Sequence, residues 1–460
     1  MSIYSFHWLA NSKHYKKIEK IYQLTKIAMT LQNTDPQIYK AILDEQKRQS
    51  EGMELIASEN YQSEAVLQTQ ASVFANKYSE GFPGRRYYWG QENTDKVEQL
   101  AIDRAKEIFH ADHANVQALS GAAANVCIYA ALMEPWDTIL WMDLSHWWHL
   151  THGAPVTFLS KVFNFIRYKT LPNWEIDFDQ VRKLAHEHKP KIILAWFSAY
   201  PRELDYDKFS EIAKEVWAIA MADMAHIGGF IAAWLLKNPL DHGFHVMMTT
   251  THKSLRWPRW AIILSKWTVS NPLKKPEDTI ENIPTRIDRA VFPWVQWWPH
   301  MNSIAAIAVA LKEAQSPEFK EYAKQALANA QVMAEEFKNR WYKLITGWTD
   351  NHMIIIDFSN TPIENGKNAE KILDEVWIST SKSTIPDDPN PPFRPSGLRI
   401  GIPAMTTRWV KEEDTRKIVD FMDRALQCHS EWNEESKIQK LESIRQEVVE
   451  FTKQFPVPSL

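Results

Sequence analysis

This chain of 460 residues has few cysteines, few glycines and a small net charge. Its two cysteines, Cys127 and Cys428, cannot build a disulfide framework, and their wide spacing fits no metal-binding motif. They indicate a reducing compartment, so we expect a cytoplasmic protein without a bound metal. The formal net charge is only −4, and the basic residues are scattered. This pattern argues against nucleic acid or an anionic membrane as the main partner.

Long apolar runs are also absent, with one exception to weigh. Residues 217–236, "WAIAMADMAHIGGFIAAWLL", have the length of a bilayer span. Asp223 and His226 lie in the middle of this run, and a charged group at mid-bilayer costs about 3 kcal/mol or more. The run is therefore predicted to be a buried strand that leads into an apolar helix.

The first 28 residues carry five lysines, no arginine and no cleavable apolar core, so they resemble neither a secretory signal nor a transit peptide. We expect residues 1–28 to be a doubtful extension and Met29 to be a candidate first residue, because a helical pattern with an Asp-Pro start follows it. The remaining chain is predicted to comprise a helical arm (29–85), a large α/β domain (86–308) and a smaller α+β domain (309–460).

Helix and strand patterns alternate through the middle of the chain. "DKVEQLAIDRAKEIFH" (95–110) has apolar residues at helical spacing, whereas "DTILWMDL" (137–144) and "KIILAWFSA" (191–199) have the composition of buried strands. Such alternation predicts a mostly parallel sheet flanked by helices. From about residue 309 long helices dominate, which is the basis for the smaller C-terminal domain.

Ligands of open α/β sheets bind at the carboxyl ends of the strands, and three predicted strand ends carry polar groups. Ser120-Gly121 precedes an alanine-rich helix and fits either a plain N-cap or a phosphate site. Asp223 fits either a loop cap or a catalytic carboxylate, and Lys253 either a solvated lysine or a reactive amine. Together, an anion site, a partner for a ring nitrogen and an amine are what pyridoxal phosphate requires. The combination favours a pyridoxal-phosphate enzyme.

Several longer stretches carry a resemblance to a known family. They are "ELIASENY" (54–61), "NKYSEGFPGRRYY" (76–88), "DMAHI" (223–227), "TTTHKSLR" (249–256), "TDNHM" (349–353) and "SGLRIGIPAMTTR" (396–408). On these motifs the chain resembles the serine hydroxymethyltransferases, fold-type I pyridoxal-phosphate enzymes, over roughly residues 32–456. The resemblance implies a mostly parallel sheet of the seven-stranded type with a smaller C-terminal α+β domain.

The resemblance also implies a cofactor site. Lys253 would form the internal aldimine and Asp223 would pair with the ring N–H, while His149 would stack on the ring. Other residues that the resemblance places at the cofactor or in catalysis are Ser120, Gly121, Ala122, Ser198, His226, Thr250 and His252. The phosphate turn departs from the family, because Ala122-Ala123 stand where relatives often carry Ser-Gln. One side-chain hydroxyl is thereby lost, although the backbone donors remain.

The substrate residues follow from the same resemblance. Arg399 would hold the amino-acid carboxylate in a bidentate fork, helped by Ser58. Glu80 is the expected acid–base group. Tyr78 and Tyr88 would lie beside it, and in the family these three residues come from the partner subunit. Asn351 would contact the pterin of tetrahydrofolate. We therefore expect a homodimer or tetramer with shared sites.

The implied reaction is reversible: serine and tetrahydrofolate give glycine and 5,10-methylenetetrahydrofolate, through a cofactor aldimine and a quinonoid. One alternative is a threonine aldolase that cleaves β-hydroxy amino acids without folate. Another is a catalytically impaired paralogue that acts as a binding protein or scaffold. The motif around Glu80 and "TDNHM" (349–353) argues against the first, and retention of the charged catalytic positions argues against the second.

A large departure from the family concerns glycine. The chain has 13 glycines and 21 tryptophans, whereas about 32 glycines are usual at this length. Eighteen tryptophans stand where the family typically has glycine, here called the eighteen tryptophans: Trp89, Trp136, Trp141, Trp147, Trp148, Trp174, Trp196, Trp217, Trp234, Trp257, Trp260, Trp294, Trp297, Trp298, Trp341, Trp348, Trp377 and Trp409. Because drift would scatter across residue types, we predict that most are glycines in the living protein, encoded by UGA codons that its host reads as glycine. Several are expected to need a positive φ or a close backbone approach, as in "EPWDT" (134–138) and "TGWTDN" (346–351).

Overall fold

The computed structural model describes residues 30–143, 151–196, 198–266, 282–430 and 433–458. At the centre of this part of the chain lies a seven-stranded sheet. Its strands are β1 (His113–Asn115), β2 (Thr138–Met142), β3 (Asn164–Tyr168), β4 (Ile192–Trp196), β5 (Ile219–Asp223), β6 (Val246–Thr250) and β7 (Ala261–Ser265). Strands β2 and β4 to β7 are almost wholly buried, which explains their continuous apolar sequences.

The strand order is β1-β7-β6-β5-β4-β2-β3. Strand β7 runs antiparallel to β1 and β6, and the other neighbouring pairs are parallel. The predicted mostly parallel seven-stranded sheet flanked by helices is therefore confirmed. Because β4, β5 and β6 are parallel neighbours, their carboxyl ends lie side by side, and the candidate site is built there.

Helices cover the sheet and continue into the C-terminal region. They are α1 (Pro36–Glu51), α2 (Glu64–Gln70), α3 (Glu92–Ile108), α4 (Gly121–Leu132), α5 (Phe178–His188), α6 (Tyr206–Glu215), α7 (Gly228–Ala232), α8 (Ile283–Arg289), α9 (Met301–Ala314), α10 (Pro317–Asn339), α11 (Gly366–Glu375), α12 (Pro403–Thr407), α13 (Glu412–Gln427) and α14 (Glu434–Thr452). Asp35 caps α1 by accepting hydrogen bonds from the backbone N–H groups of Gln37 and Ile38. The Asp-Pro helix start is thus confirmed.

A second sheet has four strands: β8 (Lys343–Leu344), β9 (Met353–Asp357), β10 (Ser381–Ser383) and β11 (Gly397–Gly401), in the order β8-β9-β11-β10. It encloses a hydrophobic core separate from that of the large sheet. Met53 and Leu55 belong to this second core, and Met53–Glu54 pairs with Ile378–Ser379. The helical arm is therefore tied to the C-terminal region, while the predicted domain boundaries stay predictions.

The run at residues 217–236 folds as its charges predict. Strand β5 is buried in the sheet and ends at Asp223, and the short helix α7 follows it. Within the described ranges no helix is both long and apolar enough to cross a membrane.

Tryptophan occupies backbone conformations that favour glycine. Seven of the eighteen tryptophans have a positive φ: Trp136 (72°), Trp174 (68°), Trp217 (60°), Trp234 (59°), Trp341 (66°), Trp377 (63°) and Trp409 (67°). A residue with a Cβ loses about 1–2 kcal/mol in this left-handed region. These positions therefore carry strain that glycine would not have.

Four of these tryptophans end helices in the Schellman motif, whose left-handed position is usually glycine. Trp217, Trp234, Trp341 and Trp409 each lie two residues past a helix end, and each donates its N–H to the third residue before it. The next residue then donates to the carbonyl five residues back, as Val410 does to Met405 at 3.2 Å. Both hydrogen bonds of the motif are present, so the left-handed turn is needed to close each helix.

Other tryptophans among the eighteen have no positive φ and differ in conformation and burial. Trp348 has φ −160°, which is extended, so the first of the two expectations for this turn, a positive φ, does not hold at the tryptophan itself; the positive φ values of the turn belong to its neighbours Thr346 (58°) and Gly347 (66°). Trp141, Trp196 and Trp257 are buried, and the indole N–H of each lacks a hydrogen-bond partner among the described residues. A buried donor without an acceptor costs about 1–3 kcal/mol. Trp147 and Trp148 lie outside the described residues.

Candidate active site

Lys253 lies three residues beyond the end of β6, and its side chain is buried. Burial lowers the pKa of Lys253 to about 8; Asp223 opposes this shift, and the charges of Arg399 and Arg259 add to it. Asp223, at the end of β5, and Arg399, in β11, therefore lie close enough to Lys253 to act on its charge. A lysine with such a pKa is partly neutral near pH 8 and can serve as a nucleophile.

The carboxylate of Asp223 is only 1% exposed and is held by donors from three places. His152 Nε2 lies 3.0 Å from Asp223 Oδ2. Asn125 Nδ2 donates to the same oxygen at 3.1 Å, and the backbone N–H of Ala225 donates to Oδ1 at 3.1 Å. These contacts fix the carboxylate at the strand end.

Three residues of this arrangement were missed by reasoning from the sequence: Asn125, Tyr129 and His152. Tyr129 Oη lies 2.7 Å from His152 Nδ1, and all three residues are fully buried. A signal for Asn125 and Tyr129 was present, because they are four residues apart on α4 and so share one face. His152 follows His149 by three residues in "SHWWHLTHG". The contact of His152 with Asp223 becomes visible only in the fold. His149 itself lies outside the described residues.

The start of α4 is placed to receive an anion. Ser120 is the N-cap of the helix, because its hydroxyl accepts from Ala123 N at 3.2 Å. The first amides of a helix lack intrahelical acceptors, and the first turn of α4 contains no acidic residue. Ser120 and Ala122 are exposed, while Gly121 is buried. A Cβ on Gly121 would lie 2.7 Å from Thr250 Cγ2, so only glycine lets the helix start come this close to β6.

The remaining residues at this edge are fixed by local contacts. Thr250 Oγ1 donates to the carbonyl of Ala225 at 3.1 Å. The ring of His226 stacks on that of His352, with centroids 5.9 Å apart. Burial, with the charges of Lys253 and Arg259, lowers the pKa of His252 to about 3, so His252 is neutral. Thr250, His226 and His252 therefore lie at the same strand ends as Lys253.

Arg399 lies beside the same strand ends. Its Nη1 donates to the carbonyl oxygen of Ser198 at 2.8 Å, and burial lowers its pKa to about 10, so it stays charged at neutral pH. No carboxylate from the described residues is paired with it. Ser58 is half-buried near this point, because Gly401 N donates to Leu55 O at 2.8 Å and brings residues 55–58 beside the end of β11. A guanidinium without an internal anion is suited to an external carboxylate.

Glu80, Tyr78 and Tyr88 form a separate group. Tyr88 Oη donates to Glu80 Oε2 at 3.4 Å, and the Tyr78 and Tyr88 rings are 5.6 Å apart. The group is carried by a hairpin of Gly81–Phe82 and Arg85–Arg86. Arg86 anchors the hairpin through a buried ion pair with Glu98 at 2.6 Å.

No hydrogen bond or ion pair joins Glu80 to Lys253 among the described residues, and the contact of the Glu80 carboxylate is with Tyr88. Within the described residues, the Glu80 group and the Lys253 group are thus not brought together.

Asn351 is buried at 1% exposure. Its Nδ2 donates to Tyr200 O at 2.9 Å, and its Oδ1 accepts from Met353 N at 3.1 Å. One further donor and one further acceptor position of the amide remain by valence. The side chain is therefore held in one orientation before any ligand is added.

The groups at this edge of the sheet fit pyridoxal phosphate. A helix start, a buried carboxylate and a lysine with a lowered pKa surround the carboxyl ends of β5 and β6. The serine hydroxymethyltransferase family model matches residues 31–422 of the 460. The chain belongs to the serine hydroxymethyltransferase family. This family is dependent on pyridoxal phosphate and uses tetrahydrofolate, so the chain has the fold of a pyridoxal-phosphate-dependent transferase.

Proposed function

We propose that the chain is a serine hydroxymethyltransferase that interconverts serine plus tetrahydrofolate with glycine plus 5,10-methylenetetrahydrofolate. The observation that carries this proposal is the meeting of Lys253, Asp223 and Arg399 in a chain of this family. An amine, an anchored carboxylate and a guanidinium are the three groups that an amino-acid substrate and pyridoxal phosphate need at one place.

In the proposed site each side chain has a defined task. Lys253 would attach the cofactor through its amine, and Asp223 would accept a hydrogen bond from the ring nitrogen. Ser120, Gly121 and Ala122 would hold the phosphate at the start of α4, and Ser198 and His226 would bind the phenolic oxygen. Pyridoxal phosphate, when bound, would supply an electron sink for the α-carbon of the substrate.

Arg399 and Ser58 would bind the substrate carboxylate. The planar guanidinium offers two parallel N–H groups, and its position next to Ser198 places that carboxylate beside the ring site. Asn351 is proposed to contact the pterin through the donor and acceptor positions that its internal hydrogen bonds leave.

Glu80 is proposed as the group that holds and moves the proton of the hydroxymethyl carbon's oxygen. It is 8% exposed, and Tyr88 Oη 3.4 Å away can orient the carboxylate. Glu80 contacts Tyr88 and not Lys253 of its own chain, and the family resemblance implies that a second copy supplies it to the Lys253 site. We therefore propose a homodimer with shared sites.

An exposed aromatic surface surrounds Glu80 and supports that second copy. The aromatic patch consists of Tyr78, Tyr87, Tyr88, Trp297 and Trp298, each between 45% and 70% exposed. Its segments touch one another, with the rings of Tyr78 and Trp298 4.9 Å apart. Exposed clusters of large apolar side chains mark interaction surfaces, and the three tyrosines would remain if Trp297 and Trp298 were glycine.

A cytoplasmic site of action belongs to the same proposal. Neither Cys127 nor Cys428 forms a disulfide among the described residues, and both are buried, which is typical of thiols in a reducing compartment.

The test is glycine formation from serine with and without tetrahydrofolate. The proposal expects formation that depends on tetrahydrofolate. Cleavage of threonine at an equal rate without folate would indicate the aldolase alternative instead. Absence of both activities, with the cofactor bound, would indicate the impaired paralogue.

A further inference from the structure

Three buried polar side chains form a hydrogen-bonded chain that begins at Tyr129 on helix α4, passes through His152 and ends at Asp223. Tyr129 Oη lies 2.7 Å from His152 Nδ1, and His152 Nε2 lies 3.0 Å from Asp223 Oδ2. Tyr129 and His152 are each 0% exposed. A hydroxyl, an imidazole and a carboxylate thus lie in sequence inside the core, with no exposed member.

The carboxylate fixes where the protons of this chain lie. Ionised Asp223 can only accept, so His152 Nε2 must carry a proton. In a neutral imidazole the other nitrogen, Nδ1, is then an acceptor, and Tyr129 donates to it. Burial, together with the charge of Asp223, raises the pKa of Tyr129 well above its usual value, so its hydroxyl keeps its proton.

The surroundings argue against a mere packing role for these groups. The ring of Tyr129 lies 6.0 Å from that of Phe163 and 6.4 Å from that of Phe165, so the hydroxyl is carried by a ring packed among apolar rings that do not belong to the eighteen tryptophans. Burying a hydroxyl and an imidazole there costs free energy unless each is hydrogen-bonded. Both are bonded, and the bonds run towards the one carboxylate that faces the cofactor site.

We propose that Tyr129 is a positioning residue that acts through His152 to keep Asp223 ionised and oriented towards the cofactor's ring nitrogen. The inference rests on the proposed function, because it presumes that Asp223 meets that nitrogen. Removal of the Tyr129 hydroxyl frees His152 to rotate or change tautomer. Asp223 would then lose one of its three fixed donors and hold the ring nitrogen proton less well.

The experiment compares two tyrosine-to-phenylalanine variants. Tyr129→Phe removes the hydroxyl of the chain, and Tyr168→Phe removes an equally buried hydroxyl whose partner is the backbone carbonyl of Leu194. The probe is pyridoxal phosphate labelled with ¹⁵N in the ring. The measurements are the ¹⁵N chemical shift of the bound probe, its dissociation constant and the unfolding midpoint of each variant. The measurements use the version of the protein that binds the probe, either the one with tryptophan or the one with glycine at the eighteen positions.

Tyr129→Phe is expected to move the ¹⁵N signal towards that of the unprotonated ring and to raise the dissociation constant about three- to tenfold. Tyr168→Phe should leave the ¹⁵N signal in place even if its unfolding midpoint falls. In a His152→Asn background, Tyr129→Phe should produce no further change in the signal, because the hydroxyl acts through that ring.

Equal ¹⁵N signals in Tyr129→Phe and the parent chain would overturn the inference, and so would an effect that persists in the His152→Asn background. Loss of folding in Tyr129→Phe alone would show a structural role and also count against it. Failure of the parent chain to bind the probe at Lys253 would instead contradict the proposed function, so the two failures are distinguishable.

Discussion

The guanidinium of Arg399 donates from Nη1 to the carbonyl oxygen of Ser198 at 2.8 Å. This contact joins the second sheet to the carboxyl end of β4. Nε donates to Ser381 Oγ at 3.3 Å, so Nη2 and the second N–H of Nη1 remain by valence for a ligand. Arg399→Lys should therefore raise the KM for serine about 10- to 100-fold, because lysine cannot form the bidentate pair. Attachment of the cofactor at Lys253 should be retained.

Arg394→Lys provides the matched control, since Arg394 lies in the same segment and is exposed. Steady-state kinetics with serine and a cofactor titration separate the two effects. Loss of cofactor attachment in Arg399→Lys with an unchanged KM for serine would remove Arg399 from the carboxylate site.

Burial of Lys253 makes the stability of the cofactor-free protein depend on pH. The pKa of Lys253 falls from 10.5 to about 8 on folding, so between these pH values the unfolded chain binds more protons and stability rises with pH. Below pH 8 the full cost of the buried charge remains, about 3 kcal/mol. Lys253→Met should therefore stabilise the protein by that order at pH 7 and by less than about 1 kcal/mol at pH 10.

Urea unfolding at both pH values checks this, with the exposed Lys367→Met as the control. A gain from Lys253→Met that is equal at pH 7 and pH 10 would show that the buried charge is not its cause.

Much of the fold was accessible from the sequence because the strands are apolar on both faces. Strands β2, β4 and β5 read as continuous apolar runs, and the chemistry-bearing residues follow directly at their ends. The sequence could not show that His152 reaches Asp223, because that depends on the path of the connection between β2 and β3. It also could not separate left-handed from extended tryptophans, as Trp409 and Trp348 demonstrate. That distinction depends on whether a helix closes at the residue.

Shared sites predict that two inactive chains can complement each other. A Lys253→Ala protomer keeps Glu80, and a Glu80→Ala protomer keeps Lys253, so the mixed dimer contains one intact site. Mixing the two under subunit exchange should recover up to about one quarter of the parent activity, for random pairing of equal amounts. No recovery, despite exchange shown by mass spectrometry, would mean that each chain builds its own site.

The Schellman tryptophans predict a large gain from glycine. Trp217, Trp234, Trp341 and Trp409 are 60% to 94% exposed, so their indoles add little burial to offset the strain. Replacing all four by glycine should stabilise the chain by about 4 kcal/mol, since left-handed backbone costs 1–2 kcal/mol per residue and the sites are separate. Replacement by alanine isolates the backbone term, because alanine removes the indole but keeps a Cβ.

Urea unfolding of the glycine and alanine variants provides this comparison. Equal gains would place the cause in the indoles and not in φ. The gene supplies the independent check: UGA codons at the eighteen positions, and glycine in peptides from the host, are predicted. UGG codons there would contradict the prediction and would favour the impaired paralogue.

Attachment of pyridoxal phosphate to Lys253 tests the central claim most directly. The chain with glycine at the eighteen positions is incubated with pyridoxal phosphate, reduced with borohydride and digested, and the modified peptide is identified by mass spectrometry. The account predicts one stable adduct, on Lys253, which is absent from Lys253→Met and present in Lys367→Met. No trapped adduct, or an adduct on a different lysine, would contradict it.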